Sequence, residues 1–194
     1  MSFLYIRTAK TASSTMNAWC GTEVPVTFNK RFLWEAPNSP LIEQAISKNH
    51  WLVTTVRDPW TRAISCWRQA HKAAWIDNEV TFKDFLKLDF KAFKSSWAIT
   101  HTIPLVDYLE PYMDKINQFI KIEKLNVELP KLAEKFGLKR DKVIKQYNKN
   151  DYMDNRSLKD VYDEEAIQLV LDKYDKDFNA FNYSKTIDCQ VKHR

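Results

Sequence analysis

Glycine is almost missing from this chain, with 2 among 194 residues, Gly21 and Gly137. A Walker A loop needs glycines ahead of its lysine, in the pattern G-x-x-x-x-G-K-[ST]. No glycine precedes Gly21, so a P-loop NTPase reading of the N-terminal region fails. Cysteine is equally sparse. Cys20, Cys66 and Cys189 are an odd number with neither a disulfide framework nor a zinc-site spacing, so reduced thiols are expected, with Cys20 and Cys66 packed on helices. No window approaches the roughly 18 consecutive apolar residues of a membrane-spanning helix. Met1 leads almost directly into the first predicted strand, so a signal peptide is not expected. Neither an RNP-like nor a zinc-knuckle pattern occurs and no metal-ligand cluster is visible, so a specific nucleic-acid partner and a metal are not expected.

What is present describes a packed globular protein. Hydrophobic residues make up 44% of the chain and aromatics 13%, including 7 Trp, and no repeat or low-complexity tract interrupts them. This length suits one domain, 1–194, with 184–194 as a frayed polar tail. The 30 Lys and Arg against 25 Asp and Glu give a net +5, which favours an anionic partner such as a nucleotide or a polyanion. Most of these charges are interspersed by sign, above all after Lys121, and read as a solvated surface.

The chain is organised around Phe3-Leu-Tyr-Ile-Arg-Thr-Ala-Lys-Thr-Ala-Ser-Ser-Thr15. Phe3 to Ile6 is short, aromatic and β-branched enough for a buried strand, and Ser13 to Cys20 has helix-compatible composition. A strand that turns straight into a helix aims the N–H groups of the first helical turn beyond the strand end. Lys10 adds a full charge there, and Thr11, Ala12, Ser13, Ser14 and Thr15 supply backbone and hydroxyl donors. The combination suits phosphate or sulfate. The architecture then repeats. Trp51 to Val56 is a second apolar run, followed at once by Arg57-Asp-Pro-Trp-Thr-Arg-Ala-Ile-Ser65, with Pro59 placed for the first turn of a helix that runs on through Trp67. An arginine fork suits phosphate oxygens, and a serine two turns into the helix can donate one more hydrogen bond.

Lys10-Thr-Ala-Ser-Ser-Thr15 resembles the K-T-A-G-T-S type loop of sulfotransferases that use 3′-phosphoadenosine 5′-phosphosulfate (PAPS), with Ser13 where that family usually has glycine. Arg57 to Ser65 resembles the same family's V-R-[ND]-P-x-x-R-x-x-S element. The resemblance implies that Lys10 and the following hydroxyls hold the 5′-phosphosulfate. It also implies that Arg57 and Ser65 bind the 3′-phosphate and that Arg62 is the usual second basic residue. The likeness is to the carbohydrate-sulfotransferase type, in a small soluble bacterial or viral form, or to an excised catalytic domain. A cytoplasmic place, in a bacterium or a virus-infected host cell, follows as an expectation.

In related sulfotransferases the catalytic base comes from the segment between the two motifs. Glu35 in Arg31-Phe-Leu-Trp-Glu-Ala-Pro-Asn38 is the first candidate, because Trp34 and Pro37 could desolvate it and raise its pKa. An exposed loop carboxylate is the bland alternative. His50 is the weaker candidate, and His101, placed in a loop before another helix, is an acceptor-site or backup-base candidate. Short strands are expected at Val24 to Phe28 and Gln118 to Glu123, with helices at Leu41 to Lys48, Ala63 to Trp75, Thr81 to Leu88 and Leu125 to Phe136, the last closed by Gly137. The stretches Ile120 to Leu138 and Tyr174 to Tyr183 are also similar to that family. Arg156 and Lys159 sit where a basic loop often covers the nucleotide, or are plain surface charges.

The expected fold is α/β, a three-layer parallel sheet flanked by helices with a P-loop-like nucleotide site along its C-terminal edge. The expected function is transfer of a sulfuryl group from PAPS to a hydroxyl or amine, releasing 3′-phosphoadenosine 5′-phosphate (PAP). The acceptor, whether glycan, lipid, small alcohol or protein, stays open. So do two rivals, a noncatalytic basic module for a polyanion or nucleotide and an ATP-dependent phosphotransferase.

Overall fold

The structure, a computed structural model, describes residues 2–21, 26–27, 40–138, 158 and 161–187. In chain order its regular elements are β1 (Phe3–Ile6), α1 (Ser13–Cys20), β2 (Val26–Thr27), α2 (Pro40–Ser47), β3 (Trp51–Val56), α3 (Pro59–Lys72), α4 (Phe82–Lys87), α5 (Ser96–Thr102), α6 (Leu105–Leu109), β4 (Gln118–Lys121), α7 (Leu125–Phe136) and α8 (Glu164–Ala180), with short 3₁₀ turns between some of them. The chain forms two compact units. One is drawn from Met1–Arg57 and Asp107–Asn148, the other from Asp58–Val106 and Lys149–Arg194.

The first unit is built on a parallel sheet in the order β2-β1-β3-β4. Phe3 pairs with Trp51 and Ile6 with Thr54, while Val53 pairs with Gln118 and Val56 with Lys121. All four residues of β1 and the last five of β3 are buried, as strands covered on both faces must be. Alternation along each strand divides them between the faces. Phe3, Tyr5, Val53 and Ile120 share a core with Met16, Trp19 and Cys20 of α1 and with Leu125, Leu129, Leu132 and Ala133 of α7. On the other face α2 packs against β1 and β3, burying Ile42 and Ala45. Each fully buried Leu or Phe in these layers contributes roughly 1.5–3 kcal/mol. Gly137 closes α7 at φ 65, a left-handed cap that L-residues reach only with strain, and the Leu138 N–H donates back to the Ala133 carbonyl at 2.8 Å.

The second unit is helical. Pro59 occupies the first turn of α3, and the Asp58 carboxylate caps it by accepting from the Trp60 N–H at 3.3 Å. Trp60 then packs on Tyr162 and Phe178 of the same unit, with ring centroids 5.4 and 5.0 Å apart, and the Tyr162 hydroxyl donates to the Trp60 carbonyl at 2.7 Å. Thr81 caps α4 and Asp163 caps α8, each accepting from the backbone N–H three residues on. That contact, aided by the nearby Lys83, holds the Asp163 carboxyl below its usual range.

Some bounds differ from expectation, β4 among them, which ends at Lys121 and gives way to a 3₁₀ turn at Ile122–Lys124. α3 stops at Lys72 because Ala74 turns into the left-handed region at φ 51, so Trp75 does not continue the helix. His101 lies inside α5 rather than in a loop, because Ser96 to Thr102 is itself helical.

Candidate anion-binding site

The turn between β1 and α1 is the candidate site. Lys10 and Ala12 sit at φ 62 and φ 56, in the left-handed region where a non-glycine residue costs on the order of 1–2 kcal/mol. Ala12 is the N-cap of α1, so no side-chain cap closes that helix, and its first turn holds no acidic residue. Ser13 is the first helical residue. The strain that a missing glycine imposes therefore falls on Lys10 and Ala12, not on Ser13. Lys10, Ser13 and Ser14 are partly exposed, whereas Thr11 is fully buried and Thr15 nearly so.

Arg57 ends the neighbouring strand β3 and reaches the same turn, its Nη1 donating to the Lys10 carbonyl at 3.3 Å. Two cationic side chains thus converge on one six-residue turn.

Beneath the turn lies a set of buried hydroxyls. The Tyr5 and Thr55 hydroxyls are 2.8 Å apart, Thr55 and Thr11 are 2.9 Å apart, Thr11 and Thr8 are 2.7 Å apart, and the Thr8 hydroxyl donates to the Thr55 carbonyl at 2.7 Å. Thr8, Thr11 and Thr55 are all 0% exposed. Burial drives the Tyr5 and Tyr108 phenols well above their ordinary pKa, so both stay neutral donors at physiological pH. Tyr108 uses its hydroxyl on the Arg7 carbonyl at 3.4 Å, at the start of the turn.

The other expected site residues belong to the helical unit or fall outside the described residues. Ser65 is a nearly buried residue of α3. Arg62, expected as a second basic phosphate ligand, is 0% exposed within the helical unit. Its Nη2 donates to the Ile103 carbonyl at 2.9 Å, its Nη1 lies 3.8 Å from the Asp177 carboxylate, and its guanidinium stands over the Tyr174 ring. Burial opposes the charge, but Cys66, Tyr174 and Asp177 outweigh it and hold the guanidinium above its ordinary pKa. Asp177 in turn accepts from the Leu105 and Val106 N–H groups at 2.9 and 2.8 Å. Arg62 is a structural tie between α3, α8 and the end of α5.

His101 is also nearly buried. Its Nδ1 is 2.8 Å from the Trp97 carbonyl, and its ring packs on Trp97 and Trp75 at 4.4 and 5.5 Å between centroids. Those contacts are those of a packed core histidine. Glu35 and Arg156 lie outside the described residues. Sequence reasoning missed Thr8, Thr55 and Tyr5. The one available signal was the pair Thr54-Thr55 near the end of an otherwise apolar buried strand, a place where hydroxyls need partners.

A parallel α/β sheet whose first strand ends in a lysine-bearing, hydroxyl-rich turn opening a helix, with an arginine from the next strand on that turn, defines an α/β protein with a cationic strand-to-helix turn of the kind suited to an oxyanion. The family follows from comparison. The model of the sulfotransferase family matches residues 2–184, through both compact units, and the chain belongs to that family. It is a transferase of sulfuryl groups. No curated protein sequence matches the chain. Among the described residues no helix is long and apolar enough to cross a membrane, and no cluster of three or more His, Cys, Asp or Glu could hold a metal ion.

Proposed function

We propose that this protein transfers the sulfuryl group of PAPS to a hydroxyl or amine acceptor, with 1–194 acting as one catalytic domain. The observation that carries the reading is the hydrogen bond from Arg57 to the Lys10 carbonyl, which ties the cation of the second motif to the anion loop of the first. Ser13, Ser14 and the backbone N–H groups opening α1 suit the oxygens of a 5′-phosphosulfate, and Lys10 supplies the charge that balances it. Thr11 and Ala12 contribute through their backbone, since the Thr11 hydroxyl is already used within the protein. Arg57, with Ser65, takes the 3′-phosphate and sets the register of the nucleotide.

In the reaction the acceptor oxygen or nitrogen bonds to sulfur as the bond from sulfur to the bridging phosphate oxygen breaks. Glu35 takes the acceptor proton, and the electron pair of the broken bond leaves on the 5′-phosphate. Lys10 stabilises the charge that grows on that leaving oxygen, a preorganised electrostatic contribution of the kind that usually supplies the largest catalytic effect. His101, whose ring packs on Trp75 and Trp97, is the backup candidate for that base.

The test is a calorimetric titration of the full chain with PAP, with ATP as the comparison ligand. Binding of PAP with ATP at least tenfold weaker is the expected outcome, followed by turnover of labelled PAPS. Equal binding of the two nucleotides, or of neither, overturns the reading.

A further inference from the structure

The hydroxyls under the anion loop form a chain with a single direction. Thr8 has one proton and gives it to the Thr55 carbonyl at 2.7 Å. Its 2.7 Å contact with the Thr11 hydroxyl then requires Thr11 to donate, with the Thr8 carbonyl as a second, longer acceptor at 3.1 Å. Thr11 has spent its proton, so its 2.9 Å contact with Thr55 makes Thr55 the donor. That leaves the Thr55 oxygen to accept from the Tyr5 phenol at 2.8 Å. The order is Tyr5 to Thr55 to Thr11 to Thr8 and back to the Thr55 carbonyl, with each threonine hydroxyl donating and accepting. A closed chain of this kind leaves none of its hydroxyls unsatisfied.

Thr8 and Thr11 belong to the turn itself, and between and beside them stand Lys10 and Ala12, the two residues held at positive φ without a glycine. Such a backbone persists only where its surroundings over-determine it. Resting on the donor reading above, we infer that Thr55, on β3, is a positioning residue for the sulfuryl-donor site, its hydroxyl and carbonyl clamping both ends of the Thr8 to Thr11 segment in the shape that presents Lys10 and the start of α1 to the anion. The chain thus does with buried hydroxyls what a glycine does in loops that have one.

The experiment is calorimetric titration of PAP into the full-length protein and its variants, with thermal melting to follow the fold. Thr55→Val keeps the volume and removes the hydroxyl, and PAP affinity is expected to fall about tenfold, the usual consequence of orphaning buried hydroxyl partners. Thr55→Ser restores the hydroxyl and should bind within about twofold of the wild type. The decisive variant is Ala12→Gly in the Thr55→Val background. Glycine adopts φ 56 without strain, so it should recover most of the lost affinity, which a merely structural role for Thr55 would not allow. Should Thr55→Val fail to fold, Thr8→Val reads the same chain from the loop side, with the same expected loss and the same rescue. Wild-type affinity in Thr55→Val, or a loss that neither Thr55→Ser nor Ala12→Gly repairs, overturns the inference while leaving the donor site standing. Failure of the wild-type protein to bind PAP takes down the donor reading and this inference with it.

Discussion

The two strand-to-helix turns of this chain share a sequence plan but are finished in opposite ways. At the first, α1 starts from an alanine in the left-handed region, without a side-chain cap and without an acidic residue in its first turn. At the second, Asp58 seals the start of α3 with its own carboxylate on the Trp60 N–H, and Pro59 removes one of the N–H groups that would otherwise need a partner. A helix start that carries its own anion is a finished structural element. One that has a lysine nearby and no carboxylate of its own is suited to an anion from outside. The same contrast runs through the arginines of the second motif. Arg57 is partly exposed and reaches the first turn, whereas Arg62 is buried among α3, Ile103 and Asp177.

The largest effect should come from pressing that last difference. Arg62→Ala removes one partner of a buried pair and leaves Asp177 without its cation, a loss of about 3–5 kcal/mol, or on the order of 10 °C in Tm by calorimetry. Arg57→Ala should do the reverse, with little change in Tm and a roughly tenfold or greater loss of PAP affinity from a missing charge-assisted contact. If Arg62→Ala melted like the wild type but bound PAP poorly, the division of labour between the two arginines would collapse.

Next in size is Lys10→Ala. Alanine keeps a non-glycine backbone at φ 62 and removes the ammonium group with its stem. Turnover of labelled PAPS should drop on the order of 10²–10³-fold, as when one preorganised transition-state donor is lost. Melting should stay within about 0.5 kcal/mol of the wild type, as for a partly exposed side chain. An unchanged kcat would remove Lys10 from the chemistry.

Much of this was legible before any coordinates. The strands Phe3–Ile6 and Trp51–Val56 could be read because buried parallel strands are continuous apolar runs, and α7 because its apolar spacing ends on Gly137. The positions of Lys10 and Arg57, just past the ends of two neighbouring strands, could be read because each follows an apolar run directly. The surroundings of Arg62 and His101 were not legible, because composition reports which groups could bind an anion but not which are already engaged inside the protein. Arg62 found Asp177, which lies 115 positions away (177 minus 62), and no local pattern connects residues that distant. The hydroxyl chain was hidden in the same way, since Thr55 looks like an ordinary β-branched strand residue until Thr8 and Thr11 are folded onto it.

A smaller effect should follow from making the first turn resemble the second. Ala12→Asp places a carboxylate at the N-cap of α1, and aspartate tolerates the left-handed backbone found there. It should stabilise the helix by a few tenths of a kcal/mol or more while raising the PAP dissociation constant about tenfold, because the helix start then carries an anion of its own. Unchanged PAP affinity would show that the start of α1 does not face the nucleotide.

The smallest effect is expected from the converse change, Asp58→Ala, which strips the second turn of its cap. Loss of an N-cap carboxylate costs about 1 kcal/mol, or roughly 2–4 °C in a chain of this size. PAP affinity should be no lower, since the carboxylate serves the Trp60 N–H and repels rather than attracts a phosphate. The informative outcome is the sign of any change in binding. Tighter PAP binding on removal of Asp58 would mean that the sealed helix start competes with the nucleotide for the same positive field, so that the seal tunes affinity as well as stability. A loss of affinity larger than the loss of stability would mean that the cap orders Arg57, its neighbour in sequence, and that the two turns are not independent. Only an unchanged affinity keeps the contrast in its simple form, one helix start for the fold and the other for the ligand.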